Sequence, residues 1–168
     1  KIKFKLREPL TNFINAGKLV LGVCNGFQVL VKLGLLPIPD FKQRVTLTIN
    51  DSGKFEDRWV YLKINKSSPC IFTRNIDYIM FPVRHGEGKF IPADENELKH
   101  IVDNNLFVAQ YVDDKGQLAG YPHNPNGSVM NIAGLCDQSG RIYGMMPHPE
   151  AFNDIVNSPF WPSGKISE

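Results

Sequence analysis

No stretch of this sequence is apolar for long enough to cross a membrane as a helix. The longest apolar runs are broken at Cys24-Asn25, Lys32 and Pro37, short of the roughly 18 to 20 residues that a span requires. The opening Lys1-Ile-Lys-Phe-Lys-Leu-Arg alternates charge with apolar side chains, so it lacks the continuous apolar centre of a signal peptide. A long basic run is also missing: 19 basic and 17 acidic residues leave a net charge of +2, which gives a nucleic acid no footprint. Cysteine is scarce. Cys24, Cys70 and Cys136 are three in number, widely spaced and without a CxxC pair, which argues against a disulfide framework or structural zinc and predicts a reducing, cytoplasmic setting. His85, His100, His123 and His148 have no ligand spacing with one another or with the cysteines, so no metal site is expected. There is no phosphate-binding glycine loop either.

What is present is the make-up of one globular domain over residues 1–168, large enough to bury a sizeable core. Leu10, Phe13 and Ile14 recur at helical spacing and predict a helix over Pro9–Ala16, stopped by Gly17. Lys18-Leu-Val-Leu-Gly-Val reads as a short strand buried on both faces of a parallel sheet. Apolar positions 27, 30, 31 and 33 then return to helical spacing until Gly34 and Pro37. Between Arg44 and Ile91 the pattern changes to strands at Val45–Ile49, Trp59–Ile64 and Tyr78–Val83, an additional antiparallel segment. A short helix over Glu95–Asn104 and strands over Leu106–Val112 and Ile132–Asp137 complete an α/β pattern.

The strand and helix around residue 24 meet in Gly22-Val-Cys-Asn-Gly, the cysteine form of a nucleophile elbow. Small flanking residues let the chain turn sharply and leave the side chain free, a need that Gly22 and Gly26 both fit. The positive end of the following helix is expected to lower the Cys24 pKa, and the Asn25 amide to face an oxyanion. A buried structural cysteine beside two glycines is the other reading of the same residues. A cysteine nucleophile needs a base held by a third group. Met145-Met-Pro-His-Pro-Glu offers one: Pro149 favours an extended His148, and residues i and i+2 of an extended chain point the same way, so Glu150 can pair with the imidazole. Alone, such a histidine between two prolines is more often a capped loop residue.

Gly22-Val-Cys-Asn-Gly-Phe-Gln, Leu35-Leu-Pro, Phe55-Glu-Asp-Arg-Trp-Val, Pro82-Val-Arg-His-Gly-Glu-Gly-Lys-Phe, Asn124-Pro-Asn-Gly-Ser, Ile132-Ala-Gly and Met145-Met-Pro-His-Pro-Glu follow in order. This ordered set resembles the glutaminase subunit of phosphoribosylformylglycinamidine synthase, a class I (triad) glutamine amidotransferase family. The resemblance runs from about Pro9 to Glu150. It implies a flavodoxin-like, mostly parallel sheet flanked by helices. It also implies a Cys24, His148 and Glu150 triad acting on glutamine, with Asn25 at the oxyanion and Gln28 and His85 as substrate-binding residues. Gln28 reads otherwise as an ordinary polar residue of the elbow helix, and His85 and Asn124–Ser128 as turn chemistry. The implied partner is the synthetase subunit, with or without a small bridging subunit; ATP and Mg are expected on the synthetase and no cofactor on this chain. The same resemblance implies two strands and a Gly-Gly loop upstream of Lys1, so the chain is expected to be N-terminally incomplete. Ala151 stands where the family commonly has arginine, and Pro159 and Pro162 disfavour a long closing helix. Two other classes remain at this stage: another elbow-type cysteine hydrolase, or a non-catalytic subunit of a synthetase.

Overall fold

The computed structural model describes residues 2–159 and 161. Helix α1 (Ile2–Asn15) leads into strand β1 (Val20–Val23), and helix α2 (Asn25–Leu33) follows after one residue. Strands β2 (Val45–Ile49), β3 (Glu56–Ile64), β4 (Tyr78–His85) and β5 (Glu87–Pro92) precede helix α3 (Glu95–Asp103). Strands β6 (Phe107–Val112), β7 (Ile132–Cys136) and β8 (Ile142–Met145) complete the regular structure, followed by 3₁₀ turns at Pro149–Ala151 and Ile155–Asn157.

Six strands form one sheet in the order β1-β8-β7-β6-β3-β4, and β2 pairs with β5 in a second sheet of two strands. The α/β class and the flanking helices are as the sequence predicts. The balance of directions is not: among the described residues β1 and β8 are the parallel pair, and every other pairing is antiparallel. The reason lies in the connections. The connections from β3 to β4, from β6 to β7 and from β7 to β8 return the chain alongside itself, whereas β1 meets β8 only after the chain has passed through the other strands. The antiparallel segment predicted over Arg44–Ile91 is accordingly divided, since β3 and β4 extend the main sheet while β2 leaves it to join β5.

Apolar side chains fill both faces of that sheet. Ile142 belongs to the cluster with Phe27, Leu30, Leu35, Phe90 and Ile101, whereas its neighbour Tyr143 belongs to the cluster with Leu62, Val83, Val108 and Cys136. That alternation is the period of two of a strand covered on both sides. The strand expected to be most buried departs from this. β1 stands at the end of the strand order, and Leu21 is 48% exposed. In α1 the periodicity is right for Leu10 and Ile14, which pack on the core, but Phe13 is exposed. The helix also starts before Pro9, which lies on its exposed side, so the missing N–H costs no buried hydrogen bond.

α2 is positioned by its buried Phe27, Leu30 and Val31 and closed by Gly34, whose backbone N–H donates to the Leu30 and Val31 carbonyls in a left-handed cap. Its first turn therefore meets the end of β1 at a fixed angle. Among the described residues no helix is long and apolar enough to cross a membrane.

Candidate active site

The parallel pair brings together the two segments that the sequence keeps far apart. Val23 of β1 lies opposite Met145 of β8, and the Cys24 N–H donates to the Met145 carbonyl at 2.8 Å. Both strands thus end side by side, β1 in Cys24 and β8 in Met146, Pro147 and His148. Open α/β sheets bind ligands beyond the carboxyl ends of their parallel strands. The end of β4 closes the same region: His148 N–H donates to the Pro82 carbonyl at 2.9 Å, and the Cys24 sulfur lies 3.9 Å from the Arg84 carbonyl.

Cys24 has φ 50° and ψ −105°, a conformation that L side chains rarely adopt, between the last residue of β1 and the first of α2. Such strain costs about 1–3 kcal/mol and persists where its surroundings enforce it. Here the Met145 hydrogen bond on one side and the α2 hydrogen bond from Gln28 N–H to the Cys24 carbonyl on the other do so. The side chain is 9% exposed. Burial pushes its thiol above the ordinary value, the Asn25 N–H works in the opposite direction, and the Glu150 charge adds to the rise. The lowered pKa predicted from the helix end is therefore reversed, because desolvation outweighs one amide donor. At rest the group is a thiol that needs a base.

His148 is placed to be that base. Its Nδ1 pairs with the Glu150 carboxylate at 2.5 Å, and its Nε2 is buried with no hydrogen-bond partner. An anionic partner on Nδ1 leaves Nε2 as the nitrogen that takes up a proton. The extended chain predicted at Pro149 is replaced by the 3₁₀ turn Pro149–Ala151, and that turn aims Glu150 back at the ring. Phe152 anchors the turn by edge-on contacts with Trp59 and Phe81, with ring centroids 5.4 Å and 6.5 Å apart. Burial pushes the Glu150 carboxyl up, but the His148 hydrogen bond and its own backbone N–H bring it below the usual range, so it is ionised at neutral pH.

Gln28 and His85 do not converge on the thiol in the same way. The Gln28 amide donates to the Glu87 carbonyl at 2.8 Å and so ties α2 to the turn between β4 and β5. His85 is buried, its Nδ1 3.1 Å from Asn50 Oδ1. The Asn50 amide nitrogen donates to the His85 and Lys54 carbonyls, which fixes the Asn50 oxygen toward the ring and makes His85 Nδ1 the donor. Its Nε2 has no hydrogen-bond partner. Burial first and the charge of His148 second hold the ring far below its ordinary pKa, at about 4.

That depression has a definite sign. The unfolded chain takes up this proton near its ordinary pKa of 6.5 and the folded chain only near 4. Stability from neutral His85 is thus complete above the higher value and falls as acid is added, by about 3 kcal/mol across the interval. Urea midpoints of the wild type and His85→Gln, compared at neutral pH and at about pH 4, should show the smaller acid loss in the variant. Equal losses would show that His85 is not the group responsible.

For Asn124–Ser128 the sequence leaves turn chemistry or a role in the site open, and for Glu56 it names none. Asn126 and Ser128 are buried; Asn126 donates to the Gly88 carbonyl at 2.9 Å, and Ser128 Oγ accepts from Phe90 N–H at 2.9 Å, clamping β5. Glu56, also buried, pairs with Arg58 and accepts from Ser52 Oγ at 2.6 Å. Asn126 and Ser128 lie in the Asn124-Pro-Asn-Gly-Ser run, which turn chemistry explains equally well, and Glu56 in Phe55-Glu-Asp-Arg-Trp-Val. Among the described residues no group of His, Cys, Asp or Glu is arranged to hold a metal ion.

With a buried thiol at a strained strand-to-helix turn beside a carboxylate-held histidine, comparison with known proteins is decisive. The profile of the CobB/CobQ-like glutamine amidotransferase domain matches residues 1–168. The chain belongs to that family. It is 44% identical over 170 residues to a protein of Dehalococcoides mccartyi named phosphoribosylformylglycinamidine synthase subunit PurQ, covering all of this chain and 65% of that protein. It is 48% identical over 164 residues to the protein of that name from Methanococcus maripaludis, covering 95% of this chain and 60% of that one. A chain in the solved structure of PurLQS from Thermotoga maritima superimposes with a TM-score of 0.66 at 31% identity, over 94% of this chain and 61% of that chain. The family member described here therefore spans less than two thirds of the length of these relatives.

Proposed function

We propose that this chain carries the glutaminase site of a phosphoribosylformylglycinamidine synthase. The observation that carries the reading is the meeting of Cys24 with the His148–Glu150 pair at the ends of the parallel strands. Relatives at 44% and 48% identity bear the name of that enzyme's PurQ subunit. In the proposed reaction His148 Nε2 takes the Cys24 proton as the sulfur attacks the side-chain amide carbon of glutamine. The Asn25 N–H, which faces the Cys24 sulfur, stabilises the oxyanion that forms. Collapse of that intermediate passes the proton from His148 to the leaving nitrogen, giving ammonia and a γ-glutamyl thioester. Water, activated by His148, then hydrolyses the thioester to glutamate. Glu150 holds the imidazole in the required tautomer throughout.

Ammonia is then used by a synthetase subunit that converts formylglycinamide ribonucleotide into the amidine, in the cytoplasm. ATP and magnesium belong to that partner, and none of this chemistry requires a cofactor on the present chain, with or without a small bridging subunit in the assembly. Gln28 and His85 line the glutamine side of the site, Gln28 by holding the Glu87 turn and His85 through its free Nε2. The test is amidine formation with the synthetase subunit, ATP and formylglycinamide ribonucleotide. Glutamine should support it with the wild-type chain, and only added ammonium should support it with Cys24→Ala. Equal support of both proteins by glutamine would overturn the reading.

A further inference from the structure

In the core cluster on the face of the sheet away from Cys24, the fold brings the other two thiols together. Cys70 precedes the loop that leads to β4, and Cys136 is the last residue of β7; both are buried, at 3% and 0% exposure. The Cys70 sulfur lies close to the Cys136 thiol, the Phe72 and Thr73 backbone N–H groups and the Thr73 side chain. Ser68 Oγ lies 3.5 Å from the Cys136 sulfur and accepts from Cys70 N–H at 3.4 Å, so it sits between the two residues. The Ile71 N–H donates to the Gly140 carbonyl at 3.1 Å and holds the Cys70 segment to the turn that follows β7.

We propose that Cys70 is an oxidation site for small hydroperoxides, and that Cys136 resolves the product into a Cys70–Cys136 disulfide. Access is provided by a cleft of about 370 Å³ lined by Cys70 together with Asn65, Lys66, Ser68, Thr73 and Arg74. In the first step the Cys70 thiolate attacks the distal oxygen of the hydroperoxide. The O–O bond breaks, the sulfur is oxidised to sulfenic acid, and the leaving alkoxide or hydroxide takes a proton to become an alcohol or water. In the second, the Cys136 sulfur attacks the Cys70 sulfur, the S–O bond breaks, and the departing hydroxide leaves as water with the Cys136 proton.

The two sulfurs differ in acidity and in access. The hydrogen bond from Cys136 outweighs burial and, with the Phe72 and Thr73 donors, holds the Cys70 thiol down to about 7, whereas the same bond and burial push Cys136 upward. Cys70 lines the cleft and Cys136, at 0% exposure, does not, so the hydroperoxide meets Cys70 first and Cys136 is left to resolve the product. Cys24 has the opposite bias, because burial raises it. None of this depends on amide transfer.

The test is peptide mapping of the intact protein after brief exposure to hydrogen peroxide at neutral pH. Wild type should yield one cross-linked peptide pair joining Cys70 to Cys136, and dithiothreitol should reverse it. Cys136→Ser should instead accumulate a sulfenic acid at Cys70 that a dimedone probe captures, at least about five-fold faster than at Cys24. The wild-type map needs no variant to fold, so failure of the variant alone does not remove the test. Unmodified Cys70 in both proteins, oxidation of Cys24 first, or a cross-link that includes Cys24 would each overturn the proposal.

Discussion

Cys24→Ala should abolish glutamine hydrolysis, lowering the rate at least about 10⁴-fold, because no other thiol can replace it on the reaction path. Cys70 and Cys136 lie in the cluster on the other face of the sheet. A glutamine-shaped electrophile should therefore add once, at Cys24, with free glutamine as a competitor, and not at all to the variant. The substitution is conservative in shape and the site lies at the edge of the core, so near-wild-type unfolding midpoints should accompany the lost activity. An adduct that persists in Cys24→Ala, or that glutamine fails to suppress, would remove Cys24 from the role of nucleophile. Since burial raises the resting thiol, hydrolysis should also depend on His148 for proton removal rather than on a thiolate formed in advance.

The second large effect concerns the two glycines around that cysteine, which are not equivalent. A Cβ at Gly22 would lie 2.7 Å from the backbone carbon and oxygen of Gly26 and 2.7 Å from Leu30 Cδ1, whereas a Cβ at Gly26 meets nothing within 4 Å. Leu30 can shift its side chain, but the Gly26 backbone can yield only if the elbow opens. Gly22→Ala should cost about 2–3 kcal/mol by overpacking. In a chain of this size that is a fall of roughly 5–10 °C in Tm, accompanied by loss of activity as Cys24 moves. Gly26→Ala should leave the stability unchanged or raise it by up to about 1 kcal/mol, since alanine favours the helix. Thermal and urea unfolding of both variants would decide it, and equal shifts would show that the close approach at Gly22 is not what shapes the turn. The sequence reading gave the two glycines one role; only the contact between β1 and α2 separates them.

Much of the chain was legible in advance for a physical reason that can be stated segment by segment. α2, β2, β3, β4, α3, β6 and β7 carry apolar periodicities that survive into the fold. β5 and β8 do not, because Gly88 and Pro92 interrupt the one and the other is four residues with a glycine inside. The mixed direction of the sheet was hidden because buried parallel and buried antiparallel strands share the same apolar pattern. Leu21 reads as core in the sequence but is exposed, because apolar character does not reveal whether a neighbour will cover it.

The candidate site divides along the same line. The sequence alone determined the elbow at Cys24 and the adjacency of His148 with Glu150, since both depend on residues within a few positions of one another and on the steric limits of glycine and proline. The tertiary structure decided the rest. The register of β1 on β8 joins the two motifs across more than a hundred residues, burial reverses the expected shift of the thiol, Asn50 selects the tautomer of His85, and two cysteines from separate segments become neighbours. Each is a product of desolvation or of contacts between distant segments, and both arise only when the apolar faces of the sheet are buried together.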